Sequence, residues 1–136
     1  MRWVTRARPK TDRIACPWLI RRFIDPDAAF KFVPARGYKP KPGEARFDMY
    51  TGEFTHAGDR CTFETLLAHF ELDDDALRAL GEIVHDIDCK DEKFGRNEAA
   101  GVLAVIQGIA LATTDDAERI ERGTLVLDGL YGQLSR

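Results

Sequence analysis

His56 stands between Glu53 and Asp59 and shortly before Cys61. Imidazole, carboxylate and thiol are all metal-ligand types. His85 and Asp88 lie three residues apart in a stretch with helical periodicity, and residues at i and i+3 share a helix face. A His–Glu–His–Asp site assembled from Glu53, His56, His85 and Asp88 is therefore the metal-binding expectation. Mixed nitrogen and oxygen donors suit iron, manganese or zinc, and the residues do not choose among the three. The competing reading has His56 capping a loop and His85 with Asp88 pairing with basic residues. No compact ligand motif such as His-Glu-x-x-His is present.

Arg13, Arg21 and Arg22 offer a second chemistry. Arginine forks and the N–H groups of a helix N-terminus both bind tetrahedral dianions such as chromate or sulfate. Arg13, near a helix start, is the first anion-binding candidate. Arg21 and Arg22 are adjacent and point about 100° apart on an α-helix, so they do not easily share a ligand. Salt bridges to Asp48, Asp59, Asp86 or Asp88 are the alternative.

Among the three cysteines, Cys61 is the candidate for catalysis, as a nucleophile, redox partner or soft ligand beside Arg60 and His56. Cys16 precedes Pro17 at a candidate helix start, and Cys89 looks incidental. The competing reading makes each a small buried hydrophobe. Three cysteines without a Cys-x-x-Cys pair form no disulfide framework and point to reduced thiols.

These residues need elements to position them. Trp3–Thr5 and Ala29–Val33 read as strands, with further strand candidates at Arg46–Tyr50 and Phe54–Thr55. Between the first two, a helix pattern runs to about Phe23. Pro17 suits a first turn better than an interior, so the helix is expected to begin after Cys16. Past Cys61 the periodicity turns helical. Thr62 is the expected N-cap of Phe63–Phe70. The Asp73–Asp75 run opens a second helix bearing Leu77, Leu80, Val84 and Ile87. Asn97 caps a third over Glu98–Ala112, rich in small residues and suited to close packing against another helix. Asp115 or Asp116 opens a last one ending near Leu134, which Gly123 and Gly129 weaken. Strands first and helices after give an α+β fold, a small N-terminal β layer packed against a mostly helical C-terminal half.

At 136 residues, one domain with a real core is expected. Residues 1–46 carry 12 Lys/Arg against 4 Asp/Glu, a balance of +8. Residues 47–136 carry 8 against 19, a balance of −11, and together these give the net −3. Mutual neutralisation across the fold and a basic anion pocket both fit that asymmetry. No run approaches the roughly 20 apolar residues of a membrane helix, and the first residues carry no secretory signature, so the cytoplasm is the expected location. No Gly-x-Gly-x-x-Gly marks a flavin or nicotinamide site. Nucleic-acid binding is disfavoured by overall charge and by the lack of a reading motif.

Trp3-Val4-Thr5-Arg6-Ala7-Arg8-Pro9-Lys10 and the stretch from Asp12 to Asp25, including Ala15-Cys16-Pro17-Trp18-Leu19-Ile20-Arg21-Arg22-Phe23, resemble the opening of the chromate-resistance B C-terminal domain. Phe47-Asp48 with Glu53-Phe54-Thr55-His56-Ala57-Gly58-Asp59-Arg60-Cys61-Thr62-Phe63 is similar to its second block. Ile83-Val84-His85-Asp86-Ile87-Asp88 is similar to its third, and Ala99-Ala100-Gly101 and Leu130-Tyr131 fit the rest. The resemblance spans nearly the whole chain. It implies a role in bacterial chromate response. Longer members of the family resemble regulators with an added N-terminal region, and some relatives are fused to rhodanese-like domains. This chain starts directly at the C-terminal domain, so direct DNA-binding regulation is not expected of it. The expectation is a metal- or anion-binding protein of chromate stress, with a small inorganic anion as ligand and homodimerisation open. A small metal-dependent enzyme, redox or hydrolytic, is the alternative.

Overall fold

A computed structural model of the chain describes residues 1–7, 11–34, 36–49 and 52–136, with the side chains of residues 11–13 outside the description. The strands are β1 (Arg2–Arg6), β2 (Ala29–Val33) and β3 (Glu44–Arg46). The helices are α1 (Thr11–Leu19), α2 (Thr62–His69), α3 (Asp75–Asp88), α4 (Glu98–Ala112) and α5 (Asp116–Leu134). The fold is α+β, as the segregation of strands and helices predicts.

The sheet is small and wholly parallel, in the order β2-β1-β3. Arg2 pairs with Ala29 on one side and Glu44 on the other, and Val4 pairs with Lys31 and Arg46. Parallel neighbours need a crossover, which α1 supplies between β1 and β2. As the central strand, β1 buries Trp3, Val4 and Thr5 in succession. Trp3 joins the main core with Phe47, Phe63 and Leu66. Val4 packs with Val33 and Met49 in a separate cluster. β3 ends at Arg46, where the strand expected over Arg46–Tyr50 begins, and Tyr50 lies outside the described residues. Phe47 makes an isolated bridge to Phe54, and at Asp48 the chain turns into the left-handed region at φ 47°.

Pro17 sits inside α1, not in its first turn. A proline there removes one backbone hydrogen bond and crowds the preceding turn. The helix continues as a π turn over Ile20–Ile24, closed by Asp25 N–H donating to the Ile20 carbonyl at 2.6 Å. π turns commonly mark such local adjustments.

The capping aspartates behave as their positions suggest. Asp74 accepts from the N–H groups of Ala76 and Leu77 at the start of α3, and Asp115 accepts from Glu118 N–H at the start of α5. Asn97 occupies the cap position of α4 but makes no side-chain capping bond. Gly123 lies where α5 comes close to α1: a Cβ there would meet Ile14 Cγ2 at 2.4 Å. Among the described residues, no helix is long and apolar enough to cross a membrane.

Candidate metal centre

The helix after Cys61 starts one residue earlier than its sequence suggests. Cys61 is the N-cap of α2, in extended conformation at φ −74° and ψ 169°. Its side chain accepts from the Glu64 N–H, while Glu64 Oε1 accepts from the Cys61 N–H at 3.0 Å. This is a capping box with a thiol in the place of the usual hydroxyl. Thr62 instead donates its hydroxyl to Asp48 Oδ1 at 3.1 Å.

The box fixes both side chains beside the last turn of α3, where His85 is fully buried. Its Nδ1 lies 2.6 Å from Glu64 Oε1, and its Nε2 lies 3.0 Å from both carboxylate oxygens of Asp91. Phe94 packs edge-on against the ring at 5.0 Å. Cys61, Glu64 and His85 each bring a ligand atom within 4.8 Å of the other two.

Asp91 belongs to the loop between α3 and α4, which is held from several sides. Asp86 accepts from the N–H groups of Phe94 and Arg96 at 3.1 and 2.7 Å. Lys93 reaches Asp59 at 2.6 Å. Lys90 and Glu92 both take left-handed backbone conformations at φ 54°. Side-chain-bearing residues adopt these at some energetic cost, and such strain persists where surrounding contacts over-determine the chain.

Burial by itself pushes the His85 imidazole towards neutrality. The hydrogen bonds and charges of Glu64 and Asp91 outweigh it and hold the pKa above its ordinary value. Asp91 is held below the usual carboxylate range by its hydrogen bond from His85. The result is an imidazole whose protonated form is favoured, held between the carboxyl groups of Glu64 and Asp91 next to a buried thiol. A divalent cation can take the place of such protons when a thiol and an imidazole give theirs up.

The structure brings His85 and Cys61 together but assembles them with Glu64 and Asp91. Glu53 turns to Arg46, accepting from its backbone N–H at 2.9 Å and its Nε at 3.1 Å. The backbone and side-chain bonds of Arg46 outweigh burial and lower the Glu53 pKa. His56 Nε2 lies 3.8 Å from Asp48 Oδ1. Asp88 is at the C-terminal end of α3, outside the Cys61–Glu64–His85 group. Glu64 and Asp91 went unread because a first-turn glutamate looks like an ordinary capping partner and Asp91 sits in a charge-rich loop. The one available signal was the Cys61-x-x-Glu64 spacing.

Of the anion candidates, the Arg13 side chain lies outside the described residues. Arg21 and Arg22 line one cleft of about 450 Å³ with Trp18, Thr124 and Asp128. Both stand on the π turn Ile20–Ile24. Arg21 stacks on Phe30 at 4.8 Å and donates to the Ala28 carbonyl at 3.3 Å. Arg22 lies over Tyr131 and is paired at 2.7 Å with Asp128, which also accepts from Trp18 Nε1 at 2.8 Å.

Comparison with known proteins places the chain. The family described as "ChrB, C-terminal domain" matches residues 3–134. A curated relative, Protein ChrB of Cupriavidus metallidurans, is 41% identical over 135 residues, which is 98% of this chain and 40% of that protein. The chain thus spans about two fifths of the length of that relative. No solved structure matches it. The chain belongs to the ChrB C-terminal domain family.

Proposed function

We propose that this domain is a metal-binding module of chromate response, with Cys61, Glu64 and His85 as ligands and Asp91 orienting the histidine. The observation that carries the reading is the gathering of a thiol, a carboxylate and an imidazole within 4.8 Å at the junction of α2 and α3. In a tetrahedral site, metal–ligand bonds of roughly 2.0–2.3 Å set the donors about 3.3–3.8 Å apart, so the Glu64 Oε1–His85 Nδ1 pair at 2.6 Å would open around an ion, and the group as a whole, already within 4.8 Å, is close to that spacing. Asp91 on Nε2 leaves Nδ1 to face the ion, the carboxylate–histidine–metal arrangement that fixes tautomer and ring orientation. One thiolate, one imidazole and one carboxylate suit zinc or ferrous iron better than manganese, and disfavour magnesium and calcium. Three protein donors also leave a fourth position for solvent or an incoming oxyanion.

One feature supports binding over catalysis by Cys61. The thiol is fully buried, which suits a ligand better than a nucleophile that must meet a dissolved oxidant. An anion site at Arg21 and Arg22 is less well supported, because the Asp128 carboxylate neutralises Arg22 within the same cleft.

The test is elemental analysis of protein purified without an affinity tag, alongside His85→Ala and His56→Ala. Near-stoichiometric zinc or iron lost in His85→Ala and kept in His56→Ala is the expected result. Metal that depends on His56 and not on His85 would overturn the ligand assignment. Chromate turnover that requires His85 would make the domain an enzyme instead.

A further inference from the structure

The cover over the Cys61–Glu64–His85 group is uneven. On the side of α2 and α3 it is the main core, to which Cys61, Phe63, Leu66 and Val84 belong. On the other side lies the start of the α3–α4 loop, residues 90–93, all of them exposed. This segment has fixed ends. Cys89 N–H donates to the His85 carbonyl at 2.8 Å, and Asp86 accepts from the N–H groups of Phe94 and Arg96. Between those ends, among the described residues, its side chains hold the rest of the protein at two points. Asp91 sits on His85 Nε2, and Lys93 reaches Asp59 at 2.6 Å. Asp59 stands two residues before Cys61. The Lys93–Asp59 pair therefore ties the loop on His85 to the segment leading into Cys61, and Lys93 is near enough to feel the Glu64 charge.

We infer that residues 90–93 are a lid on this group, with the Lys93–Asp59 ion pair as its latch, and that lid opening admits solutes to the buried thiol and imidazole. As the route of a metal ion, the lid rests on the metal-binding reading; as a cover over Cys61 it does not. Lifting the segment takes Asp91 off His85 and Lys93 off Asp59 while α2 and α3 stay packed. An exposed segment with few buried contacts opens at low free-energy cost. Lys90 and Glu92 are held left-handed at φ 54°, a strained conformation that an outward swing relieves. The latch itself is exposed, Lys93 at 44% and Asp59 at 69%. A pair of that kind shifts an equilibrium by about 1.5- to 5-fold, and salt screens it.

Labelling of Cys61 by a neutral maleimide, in the metal-free whole chain and followed by peptide mass mapping, reads lid opening without any ion. Lys93→Ala and Asp59→Asn are each expected to speed it by about 1.5- to 5-fold, with the labelling of Cys16 and the unfolding midpoint unchanged. The two substitutions remove opposite charges, so a direct electrostatic effect on the thiol would drive them in opposite directions. Added potassium chloride should speed labelling in the wild type and in neither variant. Arg78→Ala, which removes exposed ion pairs at the other end of α3, should change nothing. Stopped-flow cobalt uptake should quicken in Lys93→Ala and Asp59→Asn at unchanged affinity. Cys61 labelling at the wild-type rate in both variants, opposite changes in the two, or a rise shared by Cys16 would overturn the lid. Faster Cys61 labelling in a protein that takes up no metal would uphold the lid and overturn the metal-binding reading instead.

Discussion

Replacing Glu64 with glutamine separates charge from shape at the centre of the candidate site. The side-chain oxygen that accepts from Cys61 N–H is retained, so the capping box survives. What is lost is the negative charge 2.6 Å from His85 Nδ1. A hydrogen bond involving a charged group contributes about 1.5–3 kcal/mol and a neutral one about 0.5–1.5 kcal/mol. The substitution should therefore cost about 1–2 kcal/mol when the imidazole is protonated. Its pH dependence follows from the raised His85 pKa. The folded protein holds this proton more tightly than the unfolded chain does. The associated stability is complete below the ordinary histidine value of about 6.5, and it is lost as pH rises through the elevated folded value. Urea unfolding in the presence of a chelator reads this out. With slopes of about 1–3 kcal/mol per molar, the midpoint should fall by roughly 0.5–1.5 M at pH 6 and by clearly less at pH 9. An equal drop at both pH values, or a larger one at pH 9, would show that His85 is neutral in the fold, and the electrostatic reasoning would fail.

Other perturbations probe the frame around the site. Gly123→Ala should destabilise by about 1–3 kcal/mol, because its Cβ collides with Ile14 Cγ2; Ile14→Leu, which removes that branch, should recover much of the loss in thermal unfolding. Tyr131 donates to Asp74 Oδ2 at 2.5 Å, so Tyr131→Phe should cost about 1.5–3 kcal/mol, and a double-mutant cycle with Asp74→Asn should show a coupling well above zero. Towards a thiol reagent, the partly exposed Cys89 should react first, while buried Cys16 and Cys61 should wait for opening of the fold; added zinc should slow Cys61 further and leave Cys89 unaffected, as mass mapping of the labelled peptides would show.

The helical half was largely legible because its punctuation is local. Asp74 and Asp115 cap α3 and α5 by hydrogen bonds to backbone groups two or three residues away, and a single stretch of sequence contains both ends of that interaction. The sheet was less so. Parallel pairing depends on a crossover, and nothing within Arg2–Arg6 or Glu44–Arg46 encodes which neighbour each will take. Pro17 misled because its local rule is sound. The π turn that absorbs its effect lies just downstream, in residues with no distinctive composition. At the candidate site, His85 and Cys61 were visible as residue types. Their meeting depends on α2 packing against α3 and on the fold of the loop carrying Asp91, both tertiary facts. Glu53 and His56 had equally suitable chemistry, but local contacts with Arg46 and Asp48 turn them elsewhere.

Cobalt(II) titration of the metal-free protein tests the central claim most directly, since a cobalt–thiolate bond announces itself by a near-ultraviolet charge-transfer band and tetrahedral cobalt by intense visible bands. The account predicts both, saturating at one equivalent and displaced by zinc. It also predicts loss of the charge-transfer band in Cys61→Ser and markedly weaker binding in His85→Ala and Glu64→Gln. Cobalt binding with no thiolate band, or with a band that survives Cys61→Ser, would contradict the site at the junction of α2 and α3.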